Sequence, residues 1–425
     1  MDRLRTLVGI SIFWVGLSVL GDGFASLVVP AQLAAGADPA WAATVIGGVT
    51  FVGLIAGMLT QPVAGRLSDR LYPRWGRRGL VVAGAALSVG ALALFATVHG
   101  IVATLGAFVA LMIAVNVAQA AQQGFIPDRV EERWRGRASG AKGVADLGGA
   151  FVGFLLFGAF LATGELPTAL AIAAGIIVVT AVGTVILVRE PDRAARPGPV
   201  TTGSDGLLSA FRLDPSAHPV FVRLVVSRFL FLLGTFAIGR FLLLFVADRL
   251  ALDPTSAAGD VGGLLAVLTL ITALGAIPAG WLADRWSGPG TMVAGSVVSA
   301  VGAVLLMTAG TAATIVAFGG LMSVGSAAFA AANWKLTADA VPRDEAARFL
   351  GIANVGTAGA AAAAGLLGPV ADVSRSLAPG LGYDAIFLGA VVAFAASIAV
   401  AWPLLERAGR TAVAPAHQIT EVRRG

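Results

Sequence analysis

Asp22 and Arg240 stand inside two of the most apolar stretches of the chain, VLGDGFASLV and FAIGRFLLLF. A carboxylate that can exchange a guanidinium partner for a proton is the unit that proton coupling requires. Asp22 is therefore the first candidate for carrying a proton, and Arg240 for its partner or for a ligand of a solute. Lys142 and Asp146 lie one helical turn apart, so they share a face. They read either as an internal salt bridge where two halves meet or, with Asp146 as a second proton carrier, as part of a proton path. Asn116, Gln119 and Gln123 follow an i, i+3, i+7 pattern and line one face. Amides both donate and accept hydrogen bonds, which suits a hydroxyl-rich or zwitterionic solute. Trp334 either stacks on a sugar ring or anchors its helix at a membrane interface.

Those residues need elements to hold them. Of the 425 residues, 57% are hydrophobic and 12% charged, with mean hydropathy +0.87. Soluble domains carry roughly 25% charge. Apolar runs of about 20 residues, the length that crosses a bilayer as a helix, recur at 7–29, 42–64, 79–98, 101–123, 138–162 and 166–188. A second set follows at 220–247, 260–282, 290–309, 312–334, 346–370 and 383–404. The sequence thus predicts an all-α integral membrane protein with twelve transmembrane helices. The first run lacks an A-x-A-like cleavage site and resembles the runs that follow, so it reads as a span and not a signal peptide. At membrane depth an ionisable group costs about 2.5–3.5 kcal/mol on insertion scales, which strengthens the case for Asp22 and Arg240.

Between the two sets, 189–219 contains REPDRAARPGPVTTGSDG, rich in Pro, Gly and charge. It reads as a cytoplasmic linker between an N-terminal bundle, 1–188, and a C-terminal bundle, 220–404, with 405–425 as a cytoplasmic tail. Lys and Arg favour cytoplasmic loops. With both termini inside, only Arg249 and Arg375 fall in outer loops. The pI near 10.5 follows from that bias, so no nucleic acid partner is expected. The three histidines sit apart, there is no cysteine, and no phosphate-cradling Gly-x-x-x-x-Gly-Lys loop appears. No metal, cofactor, ATP-driven step or catalytic cluster is expected.

AGRLSDR at 64–70 recurs as AGWLADR at 279–285, and Asp128 finds its counterpart in Asp339. Both separations are close to half the chain, so the halves read as parallel repeats of one six-helix unit, one of the repeat plans of secondary transporters. Gly65, Asp69 and Arg70, completed by Gly76, Arg77 and Arg78, resemble the loop 2–3 signature of the major facilitator superfamily. Gly280, Asp284 and Arg285 resemble its degenerate copy in loop 8–9. Five residues separate the Asp-Arg pair from Gly-Arg-Arg where the usual pattern has one. That longer form is similar to the glycoside–cation and sucrose–proton symporters.

The resemblance implies two pseudo-symmetric bundles that rock around a central cavity. It implies that Asp69 contacts the eleventh helix when the protein opens outward. Arg70, Arg77 and Arg78 can pair with Asp128, Glu131 or Glu132, pairs expected to form and break as the halves move. The expected activity is proton-coupled uptake of a sugar-like solute by a monomer in a bacterial inner membrane. Proton-driven export is the alternative, and a non-transporting sensor or assembly factor the third. The phenylalanines of the seventh span, 229, 231, 236, 241 and 245, are expected to face lipid.

Overall fold

In hydrocarbon every backbone N–H and C=O must be bonded within the chain, and a helix achieves this segment by segment. The computed structural model is accordingly helical, with no strand, across the residues it describes: 2–131, 134–189, 214–341, 346–378 and 381–413. The N-terminal half comprises α1 (Asp2–Ser18), a π-helical segment (Val19–Val28), α2 (Val29–Gly36), α3 (Ala42–Thr97), α4 (Ile101–Gln123), the short α5 (Phe125–Arg129), α6 (Arg135–Ala162) and α7 (Leu166–Leu187). The C-terminal half comprises α8 (Pro219–Arg249), α9 (Pro254–Arg285), α10 (Gly288–Met307), α11 (Ala312–Ala340), α12 (Ala346–Gly365), α13 (Gly368–Leu377) and α14 (Asp384–Val413). Among the described residues, eleven helices are long and apolar enough to cross a membrane.

The expected second and third spans are one element, α3, of 56 residues. The stretch expected as a loop is helical through Trp75 because Ala64, Ser68 and Tyr72 recur every fourth residue and are buried on one face. Only Gly76 leaves helical geometry, at φ 64° and ψ −176°, a backbone region that a Cβ makes costly. The turn folds a rod that would be about 80 Å long into two arms, each sufficient for a hydrocarbon layer of about 30 Å. The expected eleventh span also differs. It ends at Gly365, and Gly368-Pro369 starts the separate helix α13. The last helix continues past residue 404 to Val413. Most of the expected linker, 190–213, and the end of the expected tail, 414–425, lie outside the described residues.

Small residues set how closely the helices approach. A Cβ on Gly23 would lie 2.7 Å from Gly153 backbone atoms, so the π segment and α6 touch backbone to backbone. The two halves meet in the same manner at one end. There Gly158 of α6 packs on Gly262 of α9, and Gly47 of α3 packs on Gly365. Asp372 of α13 is 4% exposed, and its Oδ2 accepts from both the backbone N–H and the Oγ1 hydroxyl of Thr44, each at 2.7 Å. Thr44 lies in the first turn of α3, so the carboxylate caps a helix N-terminus belonging to the other half. Arg375 adds a bond to the Pro39 carbonyl oxygen at 3.2 Å. This is the end that charge bias assigns to the outside. At the opposite end a Cβ on Gly65, Gly140, Gly143, Gly280 or Gly351 would meet nothing within 4 Å.

Candidate functional site

Asp22 sits within the π-helical segment Val19–Val28. A π turn widens the helix by one residue and lets a side chain leave the regular face, and such turns are frequent at functional sites. Gly21 and Gly23 flank it and ease distortion of the helix; the wider turn itself has no signal in composition. Asp22 is exposed, and what it faces is a cavity between the halves.

That cavity has two lobes. The larger, about 500 Å³, is lined from the N-terminal half by Asp22, Asp146 and Phe154 and from the C-terminal half by Phe231, Phe236 and Arg240, with leucines and Met322 between. The smaller, about 270 Å³, is lined mainly from the N-terminal half, by Trp14, Ser18, Gln61, Asn116 and Gln119, with Ala358 and Ala361 of α12 opposite. Asp22 and Asp146 border both.

Asp146 is held within its own half. Its carboxylate accepts a short hydrogen bond from the Ser18 hydroxyl of α1, and Lys142 approaches it at 3.8 Å. The Lys142 ammonium also lies 3.8 Å from the Trp14 ring centroid, a cation–π contact. The pair thus forms as its spacing predicts, but it joins α1 to α6 and does not bridge the halves. Arg240 is 8% exposed. Among the described residues its one hydrogen bond runs from Nη1 to the Ala25 carbonyl oxygen at 3.4 Å, and its Nε is buried without a partner. Asp22 and Arg240 share the larger lobe, and no ion pair joins them among the described residues.

The amide face separates along α4. Asn116 accepts from Gln61 Nε2 at 2.8 Å and donates to the Met112 carbonyl oxygen at 2.7 Å. Gln119 lines the smaller lobe. Gln123 is exposed and lies outside both linings, while its neighbour Gln122 is buried and donates to the Ile10 carbonyl oxygen at 2.6 Å. Trp334 is 43% exposed, also outside the linings. The Arg228 guanidinium lies 5.3 Å from its ring. Arg228 donates to Thr357 at 2.9 Å and to Asn333 at 3.3 Å, so it ties α8 to α11 and α12. The α8 phenylalanines do not all face lipid: Phe231, Phe241 and Phe245 are buried, and Phe231 stacks on Phe329 at 3.8 Å.

The family model for MFS/sugar transport proteins matches residues 6–368. The chain belongs to that family. It is a multi-pass membrane transporter of the major facilitator fold, working by secondary transport of a small solute. No curated protein matches it in sequence. Among solved structures the transporter is similar to a bacterial homologue of the human lysosomal transporter Spinster in an inward-facing, occupied conformation. That likeness has a TM-score of 0.68 and 14% identity, covering 96% of this chain and 97% of that one. It is also similar to a point mutant of the nucleoside transporter NupG, with a TM-score of 0.65 and 14% identity over 94% and 99% of the two chains.

The signature residues of the transporter gather around Gly76. The turn there brings Arg77, 6% exposed, back onto α3, where it pairs with Asp69 at 3.1 Å and with Asp128, after α4, at 2.5 Å. All three belong to the N-terminal half, so the expectation that such pairs part as the halves separate does not hold for Arg77. Arg70 is exposed, Gly65 faces open space, and Glu132 lies outside the described residues. In the other half Asp284 forms a short ion pair with Lys335 of α11. Arg285 lies 5.3 Å from the Trp281 ring, and Asp339 is exposed. Sequence reasoning missed Asp372, placed in an outer loop, and Gln61. The helix start at Gly368-Pro369 was the available signal for the former.

Proposed function

We propose that this transporter couples solute movement to protons, with Asp22 as the coupling carboxylate and Asp146 as the second acid of the path. The supporting observation is the state of Asp22. It faces a cavity from a π turn, borders both lobes and makes no ion pair among the described residues, which suits a carboxyl that exchanges protons with the cavity. On the positive-inside orientation, with twelve crossings and both termini inside, the cavity is sealed at the outer end and faces the cytoplasm. Rocking of the two halves about the cavity exposes it alternately to each side. The gating residues are those around Arg77 and the degenerate copy around Asp284. A bacterial inner membrane is the setting we propose.

For the solute there are two readings. The amides of the smaller lobe, and the resemblance of the longer signature to that of the glycoside–cation and sucrose–proton symporters, support a sugar-like molecule taken up by symport. The apolar lining of the larger lobe supports an organic molecule with an apolar body, which also suits export.

Counterflow in proteoliposomes tests coupling directly, since it needs no proton gradient. With labelled sugars, amino acids and lipophilic organic ions as solutes, Asp22→Asn is expected to exchange solute yet fail to accumulate it under a gradient. Accumulation at the wild-type level by Asp22→Asn makes Asp22 structural and moves the proton route to Asp146.

A further inference from the structure

We infer that the larger lobe binds an organic anion with an apolar body, its anionic group seated on Arg240. The inference rests on the transport reading above and decides between its two solute classes.

The first observation is the isolation of Arg240. Three other arginines held partly or wholly away from water are matched to acceptors, although the Nε atoms of Arg78 and Arg129 are, like that of Arg240, buried without one among the described residues. Arg77 lies between two carboxylates, Arg249 meets Asp384 at 2.6 Å, and Arg228 has two side-chain acceptors. Arg240 is 8% exposed and carries five N–H donors, yet makes one long bond to a carbonyl oxygen and leaves Nε without any. Burying a guanidinium with no carboxylate bonded to it is costly. The ionisable groups facing the same space are Asp22 on the π segment and Asp146 on α6 with its partner Lys142. Asp146 is already engaged by Ser18 and Lys142. The donors of Arg240 thus stay available to an anion that enters the cavity.

The second observation is what surrounds the guanidinium. Phe154, Phe231, Phe236, Leu264 and Met322 supply the walls. Of the six hydroxyls that line it, Thr235, Thr269 and Thr272 each donate to the carbonyl oxygen four residues back in their own helix, and Ser326 Oγ alone is buried without a partner among the described residues. A solute clothed in hydroxyls would leave most of them unpaired against these walls, and unpaired buried polar groups weaken binding strongly. A carboxylate, sulfonate or phosphate on an aryl or alkyl body leaves none unpaired, because a guanidinium fork matches its oxygens. The lobe volume of about 500 Å³ falls within the range of small-molecule sites. A solute anion and the Asp22 carboxylate then compete for one guanidinium, which links solute binding to the charge on Asp22.

The test uses the purified full chain in detergent and reads the unfolding midpoint with 4-phenylbutyrate, its neutral isostere 4-phenylbutyramide, and sucrose. Wild type is expected to be stabilised by the carboxylate, with a Kd at least tenfold lower than for the amide or for sucrose. Arg240→Gln is expected to abolish that preference, and Arg240→Lys to keep part of it. The inference is overturned if the amide binds as tightly as the carboxylate, if sucrose binds more tightly than either, or if Arg240→Gln retains the wild-type preference. Should Arg240→Gln not fold, the carboxylate-against-amide comparison on wild type decides alone. Binding in detergent needs no transport, so its failure is distinct from a failure of the counterflow experiment.

Discussion

Removing the Asp372 carboxylate should open the outer end of the protein. In the sealed state its Oδ2 accepts two bonds from Thr44 at 2.7 Å and sits at the N-terminus of α3. Bonds to a charged acceptor contribute about 1.5–3 kcal/mol each. Opening returns the carboxylate to water, which replaces part of that, and Oδ1 is buried without a partner in the sealed state. Both effects lower the net figure to about 2 kcal/mol in favour of sealing. At roughly 1.4 kcal/mol per decade, Asp372→Ala should then shift the sealed-to-open ratio by about 30-fold. The chain has no cysteine, so Ala40→Cys and Ser376→Cys place two spin labels on exposed positions of opposite halves without background. Their distance distribution in lipid should gain a longer component in Asp372→Ala. Thr44→Val, which removes one bond and keeps the N–H donor, should show about half the free-energy change. If both variants keep the wild-type distribution, the carboxylate does not hold the halves together and the reasoning fails.

Other expectations are more local. A leucine at Gly262 has no room where the Gly158 backbone lies within about 2.6 Å of its Cβ; the same spin-label pair should report a protein held open outside. Arg77→Ala removes charge-assisted bonds to the half-exposed Asp69 and to Asp128, a loss of about 1.5–3 kcal/mol, read as a lowered unfolding midpoint. Gln122→Ala removes a buried bond to Ile10 and should cost about 1 kcal/mol of stability while counterflow stays at the wild-type rate.

The periodic elements were legible in the sequence because hydrocarbon imposes one solution on each apolar run. Asp22, Arg240, Asp146, Asn116 and Gln119 were legible as candidates for the same reason: polar groups at that depth stand out. What sequence could not supply was rotation about each helix axis. Gln123 fits the same periodic face as Asn116, yet it falls beyond the cavity at the end of α4. Phe231 and Phe236 look like lipid-facing bulk in an apolar run, and only the packing of α8 against its neighbours turns them inward. The helical stretch from Arg66 to Trp75 was hidden by its charge, although its buried stripe of Ala64, Ser68 and Tyr72 was there to be found. Asp372 was missed because its partner lies in the other half, and no local pattern encodes a contact across 328 positions.

The first arm of α3 has a mechanical consequence. It departs from helical geometry nowhere before Gly76, so it is a single rod of about 50 Å at 1.5 Å per residue. Thr44, at one tip, belongs to the seal made with Asp372, while Asp69, near the other, belongs to the cluster at the opposite end. A rod that tilts about its middle moves its tips in opposite directions. Drawing Thr44 away from Asp372 therefore swings the Asp69 tip toward the C-terminal half. The two ends of the cavity then open in turn by leverage, with no signal passed between separate gates.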